Sequence, residues 1–209
     1  MKKYLVSIGL LIFSSASVFA ESDNDNASAL LKQKLSTLNH YQAQFHQSVT
    51  DDAGDVVHEA DGTLTLVRPD KLRWQTNAPN ETVLIADGDA VWNVDPFVEQ
   101  VTVISQQQAV QDNPIVLLTS SDDAVWQDYT ISVLDKKGET FLVKPVKGQG
   151  QISALSLKFT DGQLSSMTFQ DAQSQQSALT FTDINTEFSV TPAMFSADVP
   201  DHYMVDDQR

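Results

Sequence analysis

Gly62-Thr63-Leu64-Thr65-Leu66-Val67-Arg68-Pro69-Asp70-Lys71-Leu72-Arg73-Trp74 alternates on both sides of a turn. Successive side chains of an extended chain point to opposite faces, so Leu64 and Leu66 share one face while Thr63, Thr65 and Val67 share the other. Arg68-Pro69-Asp70 carries turn chemistry: proline fixes φ and aspartate accepts nearby amides. Leu72 and Trp74 then resume the alternation. The stretch reads as strand, turn, strand, with Arg68 in register with the apolar face.

The same period extends outward. Residues 41–49 alternate loosely, and Asp51-Asp52-Ala53-Gly54-Asp55 turns the chain into a strand over residues 56–67, with Gly62 as a candidate bulge. Residues 83–86 and 90–94 flank Asp87-Gly88-Asp89, a hairpin signal, and residues 98–104 form a further strand. After the middle of the chain, strands return around Asp135 to Gly138, around Asp161-Gly162 and over residues 178–182. Leu155, Leu157 and Phe159 alternate there with Ala154, Ser156 and Lys158, giving one apolar and one wet face. A meander of roughly ten strands joined by tight turns curls into a barrel or half-barrel.

Two stretches depart from this period. Leu30, Leu31, Leu35 and Leu38 repeat at helical spacing after a cap at Asn26 or Ser28. In the middle, a glutamine-rich segment over residues 105–112 precedes Asn113-Pro114, and proline suits the first position of a helix. Ile115, Val116, Leu117 and Leu118 make that helix apolar on nearly every side, and Ser120-Ser121-Asp122-Asp123 ends it.

The ends and the composition bound the class. Met1-Lys2-Lys3, an apolar run over residues 4–19 and Val18-Phe19-Ala20 are the three parts of a secretory signal, cut after Ala20. The expected organisation is a signal peptide over residues 1–20 and one domain over residues 21–209. The chain has 209 residues, a formal net charge of −15 and no cysteine, so its fold rests on burial without disulfides. The acidic balance disfavours nucleic acid and anionic membrane surfaces.

No nucleophile, metal or phosphate motif stands out. Gly-x-Ser-x-Gly, Ser-x-x-Lys and His-Glu-x-x-His are lacking, and the four histidines, His40, His46, His58 and His202, lack metal-ligand spacing apart from His40 and His46. The acidic pairs fall in turns, where aspartate has a local role. The expectation is a non-enzymatic protein with no cofactor and no metal.

The expected site is an apolar cavity lined by Leu64, Leu66, Leu72 and Trp74 together with Trp92, Val94, Val101 and Val103. Pro114, Ile115, Leu117 and Leu118 form its lid, since that insertion has no other place to bury itself. Arg68 and Arg73 are the only arginines before the terminal Arg209. Arg68 at the rim of the cavity has two readings. Its stem can run along the apolar face with the head in water, or its five donors can clasp lid backbone as a latch.

Three stretches resemble the outer-membrane lipoprotein carrier (LolA) family. They are Arg68-Pro69-Asp70-Lys71-Leu72-Arg73-Trp74; Asp87-Gly88 and Trp92 followed by Asn93-Val94-Asp95-Pro96-Phe97-Val98-Glu99-Gln100; and residues 195–200 with Val205-Asp206-Asp207-Gln208-Arg209. Leu72 and Arg73 stand where the family has a more aromatic pair. The resemblance implies an incomplete, half-open antiparallel β-barrel covered by a helical lid, mainly β with helices. It implies a monomeric periplasmic chaperone that takes acylated lipoproteins from an inner-membrane ABC transporter (LolCDE) and hands them to an outer-membrane receptor (LolB). It gives Arg68 the latch role. A periplasmic lipid-sensing regulator on the same half-barrel is the alternative.

Overall fold

The computed structural model describes residues 18–112, 114–147, 152–171 and 173–209. Most of the signal-peptide expectation, residues 1–17, lies outside the described residues.

The chain runs α1 (Val18–Leu35), β1 (His40–Thr50), β2 (Val56–Val67), β3 (Lys71–Thr76), β4 (Thr82–Asp87), β5 (Ala90–Asp95) and β6 (Gln100–Ser105). Three short helices follow, α2 (Gln106–Asp112), α3 (Pro114–Leu117) and α4 (Asp123–Trp126). The strands resume as β7 (Tyr129–Val133), β8 (Thr140–Pro145), β9 (Ile152–Thr160), β10 (Gln163–Asp171) and β11 (Gln176–Asn185). A 3-10 turn at Pro192–Phe195 and β12 (Met204–Asp207) close the chain.

Among the described residues all twelve strands belong to one open, unclosed sheet in the order β12-β6-β5-β4-β3-β2-β1-β11-β10-β9-β8-β7. The expected half-barrel of hairpins is present, with one difference. β12 lies parallel to β6, because it arrives by a long crossover from β11 instead of a tight turn.

The long strands β1 and β2 form the centre of the sheet, and Gly62 makes their packing possible. A Cβ at residue 62 would collide with the Gln75 carbonyl and the Phe45 ring. Without it, the Phe45 ring lies across the strand and stacks on Trp74 at 3.8 Å between centroids. The expected bulge at Gly62 is absent: β2 pairs without a break from Gly62 to Val67 with β3. Gly62 is there for close approach.

α1 buries Ala27, Leu31 and Leu35 in the main core, with Leu38 just beyond it, as the leucine spacing implies. The helix starts earlier than the expected cap at Asn26 or Ser28. Asn24 ties the helix to the sheet edge, its Oδ1 accepting the Ile131 amide of β7 at 2.7 Å. Tyr41, fully buried beneath the helix, donates its hydroxyl to the Leu164 carbonyl at 2.7 Å, and burial pushes its pKa up.

Candidate functional site

The interior face of the sheet is built from the residues that the strand alternation selects. Leu64, Leu66, Leu72 and Trp74 are buried in one cluster with α1. In an antiparallel sheet, directly opposed residues share a face. Leu72 opposes Ala86, Ala86 opposes Val91 and Val91 opposes Ile104, so the same face continues through those residues.

The helices fill the space over this face. Ile115, Leu117 and Leu118 of the expected lid join the same cluster, with Val116, Ala109, Val110 and Trp126. The side chain of Pro114 lies outside the described residues. Burying each large side chain here stabilises the closed arrangement by about 1.5–3 kcal/mol. Little room remains: the void between Val110, Leu117, Tyr129, Val143 and Leu155 holds about 20 Å³, space for about one water. It meets an open groove of about 310 Å³ between α2, α4 and β8, the two sharing Val110, Tyr129 and Pro145.

The other four expected lining residues are elsewhere. Trp92 opposes Ile85 and Val103, and Val94 opposes Val83 and Val101. Trp92, Val94, Val101 and Val103 therefore lie on the face turned away from the lid, under Val199 and Tyr203 of the C-terminal segment. This corrects the expected cavity wall. Parity was assigned there by the larger apolar side chains, but the C-terminal segment buries the outer face too, so both parities of β5 and β6 are apolar. Register across the Asp87-Gly88-Asp89 hairpin, not hydrophobicity, decides the face.

Arg68 meets the lid. Its Nη2 donates to the Ser120 carbonyl, just beyond α3, at 2.8 Å. Trp126 Nε1 donates to the same oxygen at 3.4 Å. Arg68 Nη1 is buried with no hydrogen-bond partner among the described residues. Burial pulls the guanidinium below its ordinary pKa, opposed by the Asp70 carboxylate; it remains a cation. Asp70 holds a left-handed φ of 66°, and its amide donates to the Thr119 carbonyl at 3.1 Å. Burial raises the Asp70 carboxyl, Arg68 counters the rise and Asp122 adds to it.

The other end of the lid is fixed by Gln106, which sequence reading passed over within a glutamine-rich run. Gln106 Nε2 donates to the Asp70 carbonyl at 2.8 Å, and its Oε1 accepts the Gly88 amide at 3.0 Å. Its own amide donates to the Asp89 carbonyl at 2.9 Å. Both ends of the insertion thus converge on the Arg68-Pro69-Asp70 turn. Gln106 is the first residue after β6, and the fold buries it where its neighbours Gln107 and Gln108 are exposed; nothing in the sequence sets it apart from them. Lys32 of α1 and Asp123 of α4 add an ion pair of 2.7 Å on the outside.

Such a site has one chemical capacity. It presents an apolar surface that is now satisfied by its own helices, held by a few hydrogen bonds at one turn. Among the described residues no group of three or more histidine, aspartate or glutamate side chains is placed to hold a metal, and no helix is long and apolar enough to cross a membrane.

Comparison with known proteins agrees with this architecture. Residues 36–198 match the family described as "Outer membrane lipoprotein carrier protein LolA". The outer-membrane lipoprotein carrier protein of Idiomarina loihiensis is 37% identical over 206 residues, covering 97% of this chain and 98% of that protein. The protein of the same name from Haemophilus ducreyi is 32% identical and covers 100% of this chain and 97% of its own length. Among solved structures, a LolA superfamily protein of Nitrosomonas europaea has a TM-score of 0.50 at 11% identity, covering 82% of this chain and 98% of that one; at that identity the likeness speaks to fold alone. The chain belongs to the outer-membrane lipoprotein carrier (LolA) family.

Proposed function

We propose that this protein is a periplasmic chaperone that binds the acyl chains of lipoproteins released by an inner-membrane ABC transporter of the LolCDE type and delivers them to a LolB-type receptor. The observation that carries the reading is the closed lid itself. Ile115, Leu117 and Leu118 occupy the face formed by Leu64, Leu66, Leu72 and Trp74, and one guanidinium hydrogen bond joins Arg68 to the lid. Acyl chains cannot stay in water, each buried methylene contributing about 0.8 kcal/mol. They would take the place of the lid side chains, which swing out as the Arg68 and Asp70 contacts break. Reclosure of the lid then favours release, so affinity is tempered without nucleotide hydrolysis on this component.

In the same reading residues 1–20 direct export and are removed, leaving a single domain over residues 21–209 that works as a monomer. No catalytic group, metal or cofactor takes part. The test is transfer of a labelled triacylated lipoprotein from inner-membrane vesicles to this protein and then to purified receptor. Stoichiometric solubilisation followed by transfer is expected. Failure to solubilise the lipoprotein with transporter and ATP present would overturn the proposal.

A further inference from the structure

The face turned away from the lid is two surfaces in one. Across β4, β5 and β6 it is apolar and covered by the C-terminal segment, and the cover reaches β2, where Phe195 packs on Val67 as well as on Ile85 of β4. Across β1 and β3 it is polar and partly exposed through Gln42, Gln44, Arg73 and Gln75, with Thr65 and Val67 of β2 buried between them. Gln42 opposes Thr65, Thr65 opposes Arg73, and Arg73 opposes Ile85, so Arg73 stands on the boundary. A groove of about 480 Å³ runs along that boundary, with Arg73, Gln75 and Asn77 on one side and Val83, Val94 and Met194 on the other.

The chain carries 28 aspartate and glutamate residues against 13 lysines and arginines, yet half-buried Arg73 has no hydrogen bond or ion pair with any described residue, its donors left to solvent. Asp198 lines the rim of the groove without forming an ion pair with it. Gln42 Nε2 is already turned to Thr65 Oγ1 at 3.2 Å, while the amides of Gln75 and Asn77 are uncommitted. A planar fork of donors beside free amides suits a carboxylate or phosphate oxygen pair. The adjoining Val83, Val94 and Met194 suit a short alkyl chain.

We infer that this groove is a second binding site, separate from the lid-covered interior, for an amphiphile with a carboxylate or phosphate headgroup on an alkyl chain. Arg73 holds the headgroup, Gln75 and Asn77 add donors, and the valines and Met194 take the first carbons of the chain. Asp198 opposes the headgroup and sets the affinity low.

Amide NMR of the full mature chain, titrated with octanoate, octyl phosphate, inorganic phosphate and uncharged octanol, tests this and tells free phosphate from a lipid-like anion. Octanoate or octyl phosphate is expected to shift Thr63, Thr65 and Val83 saturably. Inorganic phosphate binds the same residues more weakly, and octanol perturbs only the interior face around Leu64 and Leu66. Arg73→Gln should weaken the anions by roughly tenfold, the loss of a charge-assisted hydrogen bond, and Arg73→Lys by less. Asp198→Asn should strengthen them severalfold. Unchanged affinity in Arg73→Gln, or anion shifts confined to the interior face, would overturn the inference. Because the readout is on the opposite face of the sheet, its failure would leave the carrier reading standing, and a failure of lipoprotein transfer would leave this site untouched.

Discussion

Arg68 reaches the Ser120 carbonyl through one guanidinium nitrogen, while the other is buried without a partner among the described residues; in the proposed mechanism that bond is the latch. The single bond limits what the latch contributes to about 1.5–3 kcal/mol, the range for a hydrogen bond to a charged group. Arg68→Leu removes that bond and relieves the orphaned donor, so the net shift toward the open lid falls at or below the lower end. Expected are faster amide exchange at Thr119 and Ser120, undiminished loading and slower transfer to receptor; a defect confined to loading would contradict the latch. Tyr41 makes a cleaner contrast. Tyr41→Phe leaves the buried Leu164 carbonyl without its hydroxyl donor, which costs about 1–3 kcal/mol and should lower the urea midpoint without altering transfer. At this scale the sequence was legible where alternation put Arg68 beside Leu64 and Leu66. It was silent on Gln106, because nothing distinguishes it chemically from Gln107 and Gln108 until the fold buries one of the three.

At the scale of elements, the C-terminal segment is the part that the strand pattern could not foresee. It turns the outer face of β4, β5 and β6 into a second core, and this is why alternation alone misplaced Trp92, Val94, Val101 and Val103. Its end is clamped by Arg209. The guanidinium lies 5.7 Å from the Trp92 ring centre and donates to Asp207 Oδ2 at 2.7 Å. The Trp92 indole donates to Asp87 Oδ2 at 2.9 Å. Burial works against the Asp87 carboxylate, but the amides of Ala90 and Asp89 and the indole overcome it and hold its pKa below the ordinary range. The Arg209 side chain brings Asp207 to about 2, and the Thr140 hydroxyl does the same for Asp135. Groups with depressed folded-state values support the fold above the ordinary carboxylate value of about 3.8 and lose that support as pH falls toward 2. Trp92 fluorescence is therefore expected to change between about pH 4 and pH 2 as the clamp protonates. Arg209→Ala should move that change to higher pH, and an identical acid profile would show that the clamp does not hold the segment. Gly62→Ala is expected to lower thermal stability and to disturb the Phe45–Trp74 stack, visible by near-ultraviolet circular dichroism, since its Cβ would meet backbone that cannot yield.

At the scale of the molecule, the described residues form an open sheet of twelve strands that wraps three short helices and one longer one. The wrap works because the helices carry the apolar residues that the inner face needs. Much of this was written in the sequence: two periods, two in the strands and helical in the first segment, and one apolar insertion without a strand pattern to bury it. What strand parity could not supply was curvature and coverage, since those depend on which faces the remote segments reach. The central claim is that acyl cargo and lid compete for the same face. Its most direct test uses a chain with no native cysteine. Asp70 and Thr119 are joined by a backbone hydrogen bond of 3.1 Å across the seam; Asp70→Cys with Thr119→Cys places one thiol on each side, and the lid is locked in the oxidised fraction whose disulfide is verified by mass. Binding of a fluorescent triacylated peptide is measured for the oxidised and reduced double variant. The account predicts binding when reduced and its loss when oxidised, restored by a reductant; equal binding in both states would contradict it.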